Sequence, residues 1–158
     1  MKAASLHDIK KEMERLDAEA LLAFCLRLAK FKKDNKELLT YLLYEADDES
    51  GYVAHVKSDM DELFDALVKD NNLYYLKKSI RKILRLVNKQ IKSSGNKQTE
   101  LELRVHFCLR LKNSGIKFQK NPVLVNLYNQ QIKKILAALT KLPEDLQFDY
   151  QRSIQELT

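Results

Sequence analysis

Residues that turn a chain are nearly absent here. Gly stands at three of the 158 positions and Pro at two, and the first fifty residues contain neither. A many-turned β architecture draws on such residues at hairpins and bulges, whereas helices need them only at their ends. With Leu, Lys, Glu, Gln and Ala abundant, the chain reads as all-α.

Helix starts and stops can be placed on that basis. Ser5 and Asp8 form a capping arrangement opening a helix to about Leu16, and Asp17 caps a second. From Ala18 to Phe31 only Glu19, Arg27 and Lys30 interrupt apolar residues. A helix apolar on nearly every side must be covered on nearly every side, so this one is expected in the core. Asp34 and Asn35 are expected to cap a third helix carrying Leu38, Leu39, Leu42 and Leu43 to about Ala46, after which Asp47-Asp48-Glu49-Ser50-Gly51 breaks the pattern. Val53, Val56, Met60, Leu63, Phe64, Leu67 and Val68 mark a fourth helix, which Asn71-Asn72 turns into a fifth over 73–92, ended by Ser94-Gly95-Asn96. Pro122 and Pro143 open the last two.

The segment LELRVHFCLRL, Leu101 to Leu111, has an apolar residue at every second position and by period alone reads as a half-buried strand. No second segment offers a partner, and a lone strand leaves its backbone donors and acceptors unpaired. Helix is the expectation. Its last five residues, Phe107-Cys108-Leu109-Arg110-Leu111, also repeat Phe24 to Leu28. Each copy precedes a basic linker and a Leu- and Tyr-bearing helix, so stretches 17–46 and 100–130 fit a diverged internal repeat within a single domain spanning 1–158. That reading expects Phe24 and Phe107 both to point inward and Cys25 and Cys108 to be buried, reduced thiols.

Charge is the most informative functional feature. Residues 71–134 hold 15 Lys and Arg against 2 Asp and Glu, while 1–70 hold 11 against 16 and 135–158 hold 2 against 4. Lys77, Lys78, Arg81, Lys82, Arg85, Lys89 and Lys92 share the fifth helix. At about 100° per residue they cover an arc of roughly 140° opposite its apolar stripe. Such a ridge suits phosphates or an acidic protein, and equally a solvated outer face. An antiparallel hairpin of the fourth and fifth helices is expected to set Asp65, Glu62 and Asp61 near Lys78, Arg81 and Lys82, neutralising part of it.

Signatures of chemistry are missing. There is no Gly-rich phosphate loop, no H-E-x-x-H and no G-x-S-x-G, and His7, His55 and His106 lie far apart in the chain. Glu45, Asp47, Asp48 and Glu49 lack the alternating oxygen ligands of a calcium loop and instead complement the start of a helix dipole. No metal, cofactor or catalytic residue is expected. A polar N-terminus and the lack of a long apolar run point away from a signal peptide or a membrane span and toward a cytoplasmic location.

The expected architecture is therefore an array of seven or eight antiparallel helices, either a short right-handed superhelix of the HEAT or armadillo kind or a compact bundle. The expected function is a non-enzymatic interaction or scaffold module with a protein partner. The alternative is binding of nucleic acid or another polyanion by the basic face of the helix around 73–92. An enzyme with a dispersed site would instead show a pocket gathering His55 or His106 with two carboxylates.

Overall fold

The computed structural model describes residues 1–67 and 72–158, and every regular element among them is helical. The α-helices are α1 (Leu6–Met13), α2 (Ala18–Phe31), α3 (Lys33–Tyr44), α4 (Glu49–Leu67), α5 (Leu73–Ser94), α6 (Lys97–Lys112), α7 (Pro122–Leu139) and α8 (Glu144–Leu157), with a 3₁₀ turn at Phe118–Lys120. The chain is all-α, as its scarcity of Gly and Pro implies. Val68 and Asn71, assigned above to a helix and a turn, lie outside the described residues. The chain divides into two compact units, Met1–Tyr44 and Glu45–Thr158.

Caps fix most of the boundaries. Ser5 Oγ accepts from the Asp8 amide at 3.2 Å, and Asp17 Oδ1 from that of Ala20 at 2.8 Å. Asn72, Asn96 and Asn121 do the same for α5, α6 and α7, each satisfying amides that the first helical turn leaves open. Gly95, at φ 67°, closes α5 from the left-handed region, its amide donating to Ile91 O at 2.9 Å. Two local expectations change. Asn35 does not cap α3; its Nδ2 donates to Leu28 O at 2.7 Å, satisfying a carbonyl at the end of α2, and only Lys32 separates the two helices. Gly51 does not break α4 but sits in its first turn, its amide donating to Asp48 Oδ1 at 3.0 Å. A Cβ there would stand 2.2 Å from Asp48 Oδ2, so any other residue would make the capping carboxylate shift.

In the unit Glu45–Thr158, α6 is the hub and packs against α4, α5, α7 and α8. Thr99, Leu101, Leu103, Arg104, Val105, Phe107, Cys108 and Leu111 of this helix are all buried. That accounts for its strand-like spelling. Two residues along an α-helix is a turn of about 200°, so alternate apolar positions fall on opposite sides of the cylinder. Leu101 and Val105 line one side, Leu103, Phe107 and Leu111 the other, and both sides have neighbours. Phe107 meets Phe64 of α4 with ring centroids 5.5 Å apart, and burial of each such side chain contributes about 1.5–3 kcal/mol.

The unit Met1–Tyr44 is built differently. α2 packs on α3 and turns Leu21, Cys25 and Ala29, spaced four apart, to a half-buried position. Yet α2 has no buried residue, and among the described residues of this unit Tyr41 alone is buried. The expectation of a core helix over 18–31 is overturned: Phe24 is 50% exposed, whereas Phe107 is fully buried. Cys25 is half-buried and Cys108 buried. The shared pentapeptide marks one helix with four neighbours and one whose apolar circumference is largely open.

Candidate functional site

The basic residues of α5 lie where the helical period puts them. Lys78, Arg81, Lys82, Arg85 and Lys92 are exposed and Lys77 and Lys89 half-buried, opposite the buried stripe Leu76, Ile80, Ile83, Val87 and Ile91. Tyr74 and Tyr75 stand exposed at the start of the helix, in edge contact at 5.5 Å. The expected neutralisation by α4 does not occur among the described residues. Asp61 and Asp65 turn instead to α6, where Arg110 reaches Asp65 at 2.6 Å and Asp61 at 3.2 Å, and His106 Nε2 lies 2.7 Å from Asp61.

The reason is register. Lys57–Glu102, Asp61–His106 and Asp65–Arg110 each join residues 45 apart in sequence, at steps of four. α4 and α6 therefore run parallel, with α5 returning between them, and their i, i+4 rows meet rung by rung. The Arg110 guanidinium also lies over the Phe64 ring, 5.7 Å from its centroid.

Polar recesses flank this ladder. One of ≈ 400 Å³ is lined by Glu49, Lys57, Asn96, Gln98, Thr99 and Glu102 among others. One of ≈ 340 Å³ holds Lys57, Glu102, His106, Tyr150 and Ser153. The carboxylates here are engaged. Glu49 accepts from Thr99 at 2.6 Å and from Ser94, while Glu102 accepts from Tyr150 at 2.6 Å and Lys57 at 3.3 Å. Burial, reinforced by the bond to Glu102, pushes the Tyr150 hydroxyl up to about 12. Burial likewise pushes the Cys108 thiol up to about 12, far from the depressed value a thiolate nucleophile needs. His7 and His55 are exposed and His106 sits on the ladder, so the histidines do not gather. No three His, Cys, Asp or Glu side chains among the described residues are grouped as a metal site. The arrangement ties helices together by paired charges and hydroxyls.

A third feature escaped the sequence. Between α1 and α2 runs an open apolar groove of ≈ 710 Å³, lined by Ile9 and Met13 of α1, Leu16 of the connection, and Phe24, Leu28 and Phe31 of α2. Asp8 and Glu12 stand on the α1 wall and Arg27 on the α2 wall. Around the rest of α2, Leu22 and Leu26 are exposed, and Phe31 is 84% exposed. By sequence, these α2 residues read as core. The available signal was the short, charged α1, which is a poor cover for a helix that is apolar all round. No helix among the described residues is long and apolar enough to cross a membrane. No family model matches this chain, and neither a curated protein nor a solved structure matches it.

Proposed function

We propose that this chain is a non-enzymatic helical interaction module that binds another macromolecule through the open face of α1 and α2. The observation that carries this reading is α2 itself, with Leu22, Phe24, Leu26, Leu28 and Phe31 all exposed on a helix of 14 residues. Single exposed apolar side chains need no explanation, but Phe24, Leu28 and Phe31 line one groove, and contiguous ones of this kind mark surfaces that a partner covers. Full burial of an exposed side chain of this kind contributes about 1.5–3 kcal/mol, and roughly half of that for Phe24 and Leu28, which are already half covered, so covering the groove provides a favourable term to set against the cost of association.

A second reading is favoured by one observation. Because Asp61 and Asp65 pair with α6, the exposed cations of α5 lack, among the described residues, the counter-charges expected from α4. Such a face supports phosphate contacts with nucleic acid, which carry affinity but little sequence selectivity. Tyr74 and Tyr75 precede the ridge instead of interleaving with it, which argues against a base-stacking platform.

Affinity capture from the native cell extract tests both, with and without nuclease, using the wild-type chain, Leu28→Asp with Phe31→Asp, and Arg81→Glu with Arg85→Glu and Lys92→Glu. The expected result is a protein retained after nuclease by the wild type and by the charge-reversed chain, and lost by the groove variant. Nucleic acid lost only with the charge reversal establishes the second reading instead. Absence of both, with all three chains folded by circular dichroism, refutes the proposal.

A further inference from the structure

We infer that the α1–α2 groove is covered by the same groove of a second copy of this chain, the two related by a two-fold axis. The inference rests on the reading of this face as an interaction surface and names what covers it.

The first argument is charge. A surface that pairs with itself across a two-fold axis must be self-complementary, each feature meeting its counterpart on the other copy. The groove has that property: its α1 wall bears two carboxylates, Asp8 and Glu12, and its α2 wall the guanidinium of Arg27. Stacking two grooves so that the α1 wall of each faces the α2 wall of the other sets Arg27 against Asp8 and Glu12, twice. A basic peptide would satisfy the carboxylates and repel Arg27; an acidic one would do the reverse. Residues 1–44 hold nine Lys and Arg and seven Asp and Glu, so two copies meet without strong mutual repulsion.

The second argument is area. Phe24 is half exposed and Phe31 more so. At about 200 Å² for a whole phenylalanine, the two together expose roughly 250 Å². Ile9 and Leu28, which line the same groove, are also exposed and extend the face toward the roughly 800 Å² per partner of a standard interface. Within the unit Met1–Tyr44, α2 has no buried residue. Doubling the unit encloses the groove from both sides and produces the core that α2 lacks.

The whole chain, 18.5 kDa as a monomer, is tested by sedimentation velocity from low to high micromolar concentration. The expected wild-type result is a concentration-dependent species of twice that mass. Phe31→Asp should abolish it. Arg27→Glu leaves an all-acidic groove, and Asp8→Lys with Glu12→Lys an all-basic one. Each should weaken self-association by about tenfold or more through like-charge contact, and a mixture of the two should restore a heterodimer. Circular dichroism confirms that each variant is folded. A wild-type chain that stays at 18.5 kDa throughout overturns the inference, as does a dimer indifferent to Phe31→Asp or to both charge variants. Should the wild type be monomeric while capture of another protein still depends on Leu28 and Phe31, the second copy is refuted and the interaction face stands. Loss of both results refutes both.

Discussion

Replacing Arg104 by Met should cost the protein about 4 kcal/mol. Arg104 is 5% exposed, deep in α6. Its Nε donates to Glu100 Oε1 at 3.2 Å, and one terminal nitrogen donates to Asn88 at 2.9 Å and Gln131 at 2.8 Å, tying α6 to α5 and α7. Met keeps most of the apolar stem and deletes the donors, leaving two amide oxygens and part of a carboxylate unpaired. Breaking a buried pair by removing one partner costs about 3–5 kcal/mol. Glu100 retains Lys97 at 3.0 Å, which keeps the figure near the middle of that range, a large share of the roughly 5–15 kcal/mol of a typical domain. In urea, with a slope of about 2 kcal/mol per molar, the midpoint should fall by about 2 M. Replacing Gln131 by Met in the same chain should recover part of the loss by removing one stranded acceptor. A midpoint shift under about 0.5 M would refute the reasoning, since the guanidinium would then be solvated. Acid provides a second readout. Burial would raise the Glu100 carboxyl, but hydrogen bonds from Lys97 and Arg104 outweigh it and hold the group below its ordinary 4.5. Glu100 therefore contributes stability above that value and loses it as pH falls through its folded titration, a loss that should shrink in Arg104→Met.

Alkaline conditions should act through Cys108, whose thiol is raised from an ordinary 9.0 to about 12. The unfolded chain releases that proton first, so stability falls as pH rises from 9 toward 12, by up to about 4 kcal/mol. In Cys108→Ala the fall should begin nearer pH 10, where Tyr128 and Tyr150, both raised to about 12, take over. Urea midpoints that move in parallel for the two chains from pH 8 to 11 would contradict this. On the ladder, Arg110→Ala should destabilise by about 1–2 kcal/mol because it removes the contact over Phe64 as well as two partly exposed ion pairs. A double-mutant cycle with Asp65→Ala should assign under 1 kcal/mol of that to the Asp65 pair, and a larger coupling would show the ladder to be drier than its geometry implies.

Much of the fold is legible in the sequence because its signals are local. Ser5, Asp17 and Asn72 mark helix starts and Gly95 a helix end by satisfying backbone groups within a few residues, and Pro122 marks a start because the first turn needs no amide from it; each does so in the structure. The cations of α5 were placed by period alone, and the structure puts them opposite the stripe. What the sequence does not display is the number of neighbours a helix finds. α2 and α6 contain the same pentapeptide. α6 spells a strand and is the buried hub, while α2 spells a core helix and is open, because coverage is decided by elements elsewhere in the chain. The same holds for charge. Asp61 and Asp65 face Lys82 and Lys78 in any drawing of a two-helix hairpin, and only the parallel placement of a third helix, α6, turns them to His106 and Arg110. The groove was hidden for a related reason: apolar residues at helical spacing spell a core and a docking face alike.

Photocrosslinking tests the open face most directly. A benzophenone-bearing phenylalanine analogue replaces Phe31, or, as a control outside the groove, Phe148, a phenylalanine on α8 that is 73% exposed, and each chain is irradiated in its native cell. The account predicts a discrete intermolecular adduct from position 31, at twice the chain mass if the partner is a second copy, and none of comparable yield from position 148. Adducts from position 31 that are absent, or no more abundant than those from position 148, would contradict it.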